Sequence, residues 1–189
     1  MILASSSPQR KAILEQLGIG FRIVVPEVDE LTSGLPEELV RENALRKASA
    51  AATVQRDSGS EEPILGVDTL VALDDRIYGK PADGREARAT LEALSGREHR
   101  VLSGVCLMQG GRARTAAAVT KVRFRALDAP TLDWYLETGE WRGRAGGYAI
   151  QGRGAALVQA IDGDYLNVVG LPVATLLDLY PSALFAAIS

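Results

Sequence analysis

The feature that most constrains the fold is the apolar run Ile64–Leu73, which a single acid, Asp68, interrupts. A run of this length that is rich in Val, Ile and Leu predicts a buried β-strand, as in sheets that helices cover on both faces. A carboxylate inside such a strand is costly unless it is paired or bound to a metal ion. We therefore favour a role for Asp68 as metal ligand or general base over a chance occurrence.

Strands and helices are predicted to alternate along the rest of the chain. Strands are expected at Met1–Ala4, Phe21–Val25, Val101–Met108, Ala113–Phe124 and near Ala155–Ile161,. Helices are expected from Pro8 to the glycines at 18 and 20, and over Pro36–Thr53, Asp83–Leu94 and Leu127–Glu137,. Gly110 and Gly111 predict a hairpin turn, and the polar run Arg56–Glu62 breaks the helical pattern,. We expect an α/β fold with a long mixed β-sheet flanked by helices.

Length and charge limit the class of protein. The 189 residues suit a single domain, 1–189, or a pair of closely fused lobes,. A net charge of -3 gives no broad attraction to a polynucleotide or an anionic membrane,. Neither a signal peptide nor an apolar run of roughly 18 residues that could span a bilayer is recognisable. The lone Cys106 fits a reducing compartment, so we expect a soluble, cytoplasmic protein,.

Two segments could bind phosphate or metal. Ser5–Pro8 with Arg10 lies between a strand and a helix, where helix N–H groups, serine hydroxyls and a guanidinium would cradle phosphate,. A serine N-cap with a solvated basic face is the alternative. The acidic cluster Glu27–Glu30 follows a strand, and alternation places Glu27 and Asp29 on one side as oxygen ligands for Mg²⁺ or Mn²⁺,. An ordinary acidic surface loop would give the same pattern.

Two further segments could contact a nucleotide. Lys80 lies between Gly79 and Pro81, which fix its backbone and leave a mobile cationic tip, although a plain turn would have the same sequence,. In the loop Gly146–Gly152, Gln151 offers a donor and an acceptor to a base edge, and the alternative is a mobile surface loop,.

Several well-known sites are missing from the sequence. It has no GxxxxGK[ST] phosphate loop and no G-x-S-x-G nucleophile motif,. One histidine and one cysteine do not make a zinc site,. We expect the histidine, His99, to serve packing or hydrogen bonding near the start of a strand.

Taken together and in this order, these stretches resemble the Maf family of nucleotide pyrophosphatases over almost the whole chain. The matching positions are Leu3–Ser5, Ser7, Pro8, Arg10, Pro26–Glu30, Arg46–Ala48, Gly66–Thr69, Gly79–Pro81, Ser95–Gly96, Ala145–Gly152 and Ile161–Pro172. The resemblance implies a fold similar to that of inosine triphosphate pyrophosphatases, with two lobes around a cleft. It also implies hydrolysis of nucleoside triphosphates between the α and β phosphates, assisted by Mg²⁺, Mn²⁺ or Co²⁺, as sanitation of the nucleotide pool.

The resemblance assigns roles to individual residues. Asp68 matches the proton acceptor, and Glu27 matches its partner in holding the metal ion. The residues that match positions lining the triphosphate are Ser5, Arg10, Lys47 and Lys80.

Three positions sort the members of the family by substrate, and here they are Gln9, Thr69 and Gln151. Thr69 and Gln151 match the branch acting on dTTP and UTP. Gln9 departs from both branches, because that branch usually has arginine there and the branch acting on methylated GTP often has tryptophan. The resemblance therefore implies dTTP and UTP, or modified pyrimidine nucleotides, as substrates. The resemblance further implies a homodimer. Two other hypotheses are a nucleotide-binding regulator of cell division or stress with little hydrolysis, and a phosphatase acting on sugar phosphates or other small anions.

Overall fold

The computed structural model describes residues 1–56 and 62–185 and has an α/β fold, as the sequence predicts. The strands are β1 (Ile2–Ala4), β2 (Arg22–Ile23), β3 (Ile64–Leu73), β4 (Arg76–Tyr78), β5 (Glu98–Gln109), β6 (Arg112–Phe124) and β7 (Val158–Asp162). The α-helices are α1 (Pro8–Gln16), α2 (Pro36–Arg56), α3 (Gly84–Leu94), α4 (Ala129–Glu137), α5 (Tyr165–Val169) and α6 (Val173–Leu179). Short 3₁₀ helices occupy Ala145–Gly147, Arg153–Leu157 and Pro181–Leu184.

The seven strands form one mixed sheet in the order β2-β1-β3-β5-β6-β7, with β4 also paired to β3. Strand β1 is parallel to both β2 and β3, and Ala4 is in register with Gly66. Strand β4 is antiparallel to β3, and β7 is antiparallel to β6. The predicted mixed sheet flanked by helices is therefore confirmed.

Most predicted elements lie within a few residues of their expected bounds. The strand Ile64–Leu73 is confirmed at both ends, and α2 runs three residues beyond the predicted Thr53. The hairpin between β5 and β6 turns at Gly110 and Gly111, whose φ values of 56° and 74° lie in the left-handed region that glycine tolerates,. Residues 57–61 of the expected polar break lie outside the described residues.

Contacts divide the chain into two compact units, and the first comprises Met1–Asp68, Ser103–Ala118 and Gly170–Ser189. In it, α2 packs very closely on the sheet. A Cβ atom added to Gly66 would lie 2.2 Å from the Ala44 carbonyl oxygen, and one added to Gly104 would lie 2.0 Å from that of Val40. The small side chains that allow this approach belong to a buried cluster, which comprises Ile2, Ala4, Ala44, Ala48, Ala51, Ile64 and Cys106.

Burial has a chemical effect on the thiol in that cluster. Cys106 is fully buried, and burial raises the pKa of its thiol to about 11,. The thiol is therefore protonated at neutral pH.

The second unit comprises Thr69–Leu102 and Val119–Val169 and has its own apolar core. The aromatic rings of His99, Phe124 and Tyr148 pack edge to face at centroid distances of 4.8 to 5.5 Å,. His99 Nε2 is hydrogen bonded to the Tyr148 hydroxyl at 2.9 Å, which agrees with the expected packing role of this histidine. Burial lowers the pKa of His99 to about 4, against an opposing effect of Glu98,.

The helices of the structure can be compared with the sequence prediction, which found no apolar run long enough to span a bilayer. Within residues 1–56 and 62–185, none of the helices has both the length and the apolar character required to cross a bilayer,.

Candidate active site

The first part of the candidate site lies at the carboxyl end of β1, an edge where parallel sheets commonly bind ligands. Ser5 follows this strand directly and is 8% exposed, and Arg10 lies in the first turn of α1 and is 9% exposed. The Nη1 atom of Arg10 donates to Ser5 Oγ at 2.9 Å, and its Nε atom donates to the Gly170 carbonyl oxygen at 2.9 Å. The predicted pair of hydroxyl and guanidinium is therefore in contact.

The electrostatic surroundings of Arg10 include two carboxylates. Burial lowers the pKa of Arg10, while the negative charges of Asp68 and Glu30 act in the opposite direction,. Ser5, Arg10 and both carboxylates belong to the first unit. The buried cation of Arg10 is thus influenced by one buried carboxylate, Asp68, and one exposed carboxylate, Glu30.

The buried carboxylate of Asp68 is held by two residues of α2. Asp68 is 7% exposed, so its charge needs compensation,. Lys47 Nζ donates to its Oδ1 atom at 2.6 Å, and Asn43 Nδ2 donates to its Oδ2 atom at 3.0 Å. The close approach of α2 to β3 at Gly66 brings both side chains within reach of the strand.

The same face of α2 also contacts the acidic segment, by which we mean residues 27–31. Lys47 Nζ lies 2.7 Å from Glu30 Oε1, and Arg46 Nη1 lies 3.5 Å from the Asp29 carbonyl oxygen. Asn43 contacts both backbone groups of Leu31: its Oδ1 accepts from the N–H at 2.8 Å, and its Nδ2 donates to the carbonyl oxygen at 3.0 Å. Helical spacing at positions i, i+3 and i+4 places these three side chains on one side of α2.

Glu27 and Gln9 lie in the same unit as Asp68. Glu27 is exposed, and the carboxylate that contacts Lys47 is that of Glu30, three residues further along. Gln9 is half-buried in the first turn of α1, where its Oε1 accepts from Ser7 Oγ at 3.2 Å. The metal-binding role of Glu27 and the specificity role of Gln9 stay predictions.

The Lys80 turn and the Gly146–Gly152 loop come together within the second unit. The Gly146 N–H donates to the Gly79 carbonyl oxygen at 3.0 Å, which ties the loop to the residue before Lys80. The Lys80 side chain itself is exposed at the end of the turn that follows β4. Two of the predicted nucleotide-contacting segments are therefore neighbours.

Gln151 and Thr69 also belong to the second unit. Gln151 is exposed, and two residues before it the Ala149 N–H donates to the Tyr135 hydroxyl at 2.9 Å. Tyr135 is fully buried, and burial raises its pKa to about 12, so this hydroxyl is a stable neutral acceptor,. Thr69 is half-buried in β3, immediately after Asp68.

The side chains of the first unit fit a hard divalent cation by their chemistry. Within the described ranges, no three His, Cys, Asp or Glu side chains lie close enough to hold a metal ion by themselves. Mg²⁺ does not need such a cage, because it commonly takes one or two carboxylates and completes its shell with water and phosphate oxygens. Asp68 together with Glu27 or Glu30 could supply those carboxylates.

Two residues of the site, Asn43 and Glu30, are not assigned to it by the sequence. Asn43 lies four residues before Lys47 on the side of α2 that faces the sheet, and a polar amide on that stripe is the signal that could have found it,. Glu30 is visible as part of an acidic cluster, but alternation of side chains favours Glu27 with Asp29 in an extended segment. In the structure, the carboxylate that contacts Lys47 of α2 is that of Glu30.

Fold and site together define an α/β protein in which a lysine contacts a buried carboxylate, and a serine and an arginine form a hydrogen-bonded pair in the same compact unit. The model of the Maf-like protein family matches residues 1–182. The chain belongs to this family.

Several relatives of known name cover most of the chain. A dTTP/UTP pyrophosphatase of Symbiobacterium thermophilum is 50% identical over 92% of this chain and 88% of its own length. The dTTP/UTP pyrophosphatase of Pyrococcus furiosus is 42% identical, covering 95% of this chain and 93% of the relative. That of Pelotomaculum thermopropionicum is 44% identical, with 95% and 94% covered.

Proposed function

We propose that this protein hydrolyses nucleoside triphosphates to nucleoside monophosphates and pyrophosphate, with dTTP and UTP as its substrates. The observation that carries the proposal is the buried Asp68 carboxylate, which lies 2.6 Å from the Lys47 ammonium. Relatives that are 42 to 50% identical over most of the chain are named dTTP/UTP pyrophosphatases, which supports the substrate class.

The side chains of the first unit supply the groups that such a reaction needs. A water molecule attacks the α-phosphorus, the bond from that phosphorus to the bridging oxygen breaks, and pyrophosphate leaves. Asp68 accepts a proton from the attacking water. Ser5, Arg10 and Lys47 compensate the negative charge of the phosphate oxygens, which is the main requirement of phosphoryl transfer.

We further propose that a divalent cation, Mg²⁺, Mn²⁺ or Co²⁺, assists the reaction. Asp68 and Glu27 are the proposed ligands, and Glu30 is a second candidate because it lies beside Lys47. When bound, such an ion polarises phosphate oxygens and lowers the pKa of bound water. Removal of metal with EDTA should abolish turnover, and added Mg²⁺ should restore it. Full activity in EDTA would contradict this part of the proposal.

A product assay over a nucleotide panel tests the reaction itself. The purified protein is incubated with Mg²⁺ or Mn²⁺ and each of the common ribo- and deoxyribonucleoside triphosphates, and pyrophosphate and inorganic phosphate are measured separately. We expect pyrophosphate as the first product, with dTTP and UTP hydrolysed fastest. Inorganic phosphate as the first product would support the small-anion phosphatase instead. Tight nucleotide binding with negligible hydrolysis would support the regulator.

The substitution Asp68→Asn tests the assigned base. The amide preserves the shape of the side chain but cannot accept the proton from water, so kcat should fall by at least about 100-fold. Circular dichroism and the melting temperature check that the fold remains. A variant with near-normal turnover would show that Asp68 is not the base.

We also propose that the protein is a homodimer located in the cytoplasm. Membership of the Maf family supports a homodimer, and the lone buried cysteine supports a cytoplasmic location,. Sedimentation velocity at micromolar concentration should give a single species of twice the 20.1 kDa chain mass. A monomer at all concentrations would exclude the dimer.

A further inference from the structure

We propose that Asn43 is a positioning residue that holds the Asp68 carboxylate and the acidic segment in a fixed relation; its effect on turnover rests on the function proposed above. Asn43 is 2% exposed, and its side-chain amide makes three hydrogen bonds. Two of them go to Leu31 and the third to Asp68. A single buried side chain therefore connects the segment that carries Glu27 and Glu30 to the proposed base.

Only one orientation of the Asn43 amide satisfies all three partners. The Leu31 N–H requires an acceptor, which must be Oδ1, at 2.8 Å,. The Leu31 carbonyl oxygen and Asp68 Oδ2 both require donors, and Nδ2 carries two hydrogens and lies 3.0 Å from each. The amide has no spare donor, and exchange of Oδ1 with Nδ2 would set a donor against the Leu31 N–H and an acceptor against Asp68 Oδ2,. The three hydrogen bonds thus fix the orientation of the Asn43 amide. The amide in turn restrains the positions of Leu31 and Asp68.

Lys47 makes a parallel bridge, but of a different kind. Its ammonium contacts Asp68 Oδ1 at 2.6 Å and Glu30 Oε1 at 2.7 Å. In the proposed reaction Lys47 also compensates phosphate charge, and a phosphate would compete with both carboxylates for its three donors. The neutral amide of Asn43 offers no charge for which a phosphate could compete. It can therefore hold Asp68 in place while Lys47 changes partners.

The substitution Asn43→Ala removes all three hydrogen bonds. If Asn43 positions the base, kcat should fall on the order of 10- to 100-fold, because small misplacements of reacting groups have effects of that size. The KM for the nucleotide should change less than threefold, since Ser5, Arg10 and Lys47 remain. The variant Asn43→Asp should not restore kcat, because it keeps the acceptor for Leu31, loses the donor to Asp68 and adds a negative charge beside it.

Asn167→Ala is the matched control. Asn167 is likewise fully buried, and its Nδ2 donates to the Val101 carbonyl oxygen at 3.0 Å and to Thr120 Oγ1 at 2.9 Å, all within the second unit. Its loss should lower the melting temperature to a comparable extent without the fall in kcat. Equal kcat values for the two alanine variants, measured well below their melting temperatures, would overturn the positioning role.

Hydrogen exchange provides a readout that does not depend on activity. In Asn43→Ala, the amide of Leu31, which donates to Asn43 Oδ1 in the wild type, should exchange at least tenfold faster, whereas in Asn167→Ala it should not. Unchanged exchange there would overturn the tether even if kcat falls. If the wild-type protein releases no pyrophosphate from any nucleotide, the proposed function fails and the effect of Asn43 on turnover fails with it. The exchange measurement then still decides whether Asn43 tethers the segment.

Discussion

Among single residues, Gln9 is the predicted specificity position at which the resemblance to the dTTP/UTP branch fails. It lies in the first turn of α1, half-buried, with its Oε1 next to Ser7 Oγ. The substitution Gln9→Arg should raise kcat/KM for dTTP and UTP relative to other nucleotides by about tenfold. A hydrogen bond to a charged group contributes about 1.5 to 3 kcal/mol, and a factor of ten corresponds to about 1.4 kcal/mol.

A control for added charge is available on the same helix. Gln16 is exposed at the last position of α1, so Gln16→Arg adds the same charge away from the first turn. It should leave the substrate profile unchanged. The specificity role of Gln9 would be refuted if Gln9→Arg also left the profile unchanged.

His99 should make stability depend on pH. Burial lowers its pKa to about 4 in the folded protein, whereas an unfolded chain has the ordinary value of about 6.5,. Between these values the unfolded state binds more protons, so the free energy of unfolding should decrease as pH falls through this window. The expected contribution of His99 is about 2 kcal/mol between pH 7 and pH 5.

Urea unfolding at pH 7 and pH 5 measures this contribution. His99 is the only histidine, so His99→Gln removes the histidine term entirely while leaving the carboxylates. Between pH 7 and pH 5, the decrease in the free energy of unfolding should be smaller in the variant by about 2 kcal/mol. Identical losses in the two proteins would mean that His99 is not held neutral by burial.

Among the structural elements, the packing of α2 on the sheet determines the geometry of the site. A Cβ atom on Gly66 would meet the Ala44 carbonyl oxygen at 2.2 Å and the Ala48 nitrogen at 2.9 Å, and backbone atoms of a helix cannot give way cheaply. Gly66→Ala should therefore cost about 1 to 3 kcal/mol of unfolding free energy. It should also lower kcat, because a displaced α2 carries Asn43 and Lys47 away from Asp68.

Gly84→Ala is the control for this substitution. A Cβ atom there would meet only Trp141, at an ordinary contact distance of 3.8 Å, and Gly84 begins α3, where alanine is a better helix former,. Chemical denaturation should give this variant at least the stability of the wild type. A Gly66→Ala variant as stable as the wild type would contradict the close packing of α2 on β3.

The sequence allows most elements to be located, because apolar periodicity and turn residues are local signals. Prediction from the sequence fails where the structure of a segment depends on the strands and helices that pack against it. Strand β4 has only three residues, Arg76–Tyr78, and is stabilised by pairing with β3. The predicted strand Ala155–Ile161 begins as a 3₁₀ helix over Arg153–Leu157, and only Val158–Asp162 pairs with β6.

The candidate site was predictable to a similar extent. Asp68 stands out because a carboxylate in an apolar strand demands compensation, and the structure provides it from Lys47,. The contribution of Asn43 depends on how closely α2 approaches β3 and on where the acidic segment crosses the helix. Both are tertiary features, and no local pattern encodes them.

At the scale of the whole molecule, each compact unit is assembled from separate stretches of chain. The first unit combines three stretches and the second combines two, and strands β3, β5 and β6 contribute residues to both. Contacts between distant parts of the sequence must therefore form before either unit is complete. Such a topology is expected to fold more slowly than one built from local contacts.

This arrangement predicts that fragment 1–68 does not fold alone. It lacks Ser103–Ala118, the stretch that carries Gly104 and Cys106 against α2, so the alanine-lined face of that helix would be open to water,. Circular dichroism should show little helix, and urea titration should give no cooperative transition. A cooperative transition in the fragment would mean that the segments it lacks are dispensable.

The burial of Cys106 has a practical consequence for biophysical work. The thiol is fully buried, and its pKa of about 11 leaves almost no thiolate at neutral pH, whereas maleimides and other probes react with the thiolate,. Since the chain has no other cysteine, a cysteine introduced at an exposed position would carry the only reactive thiol. Fluorophores or spin labels could then be attached at chosen positions without first removing the native residue.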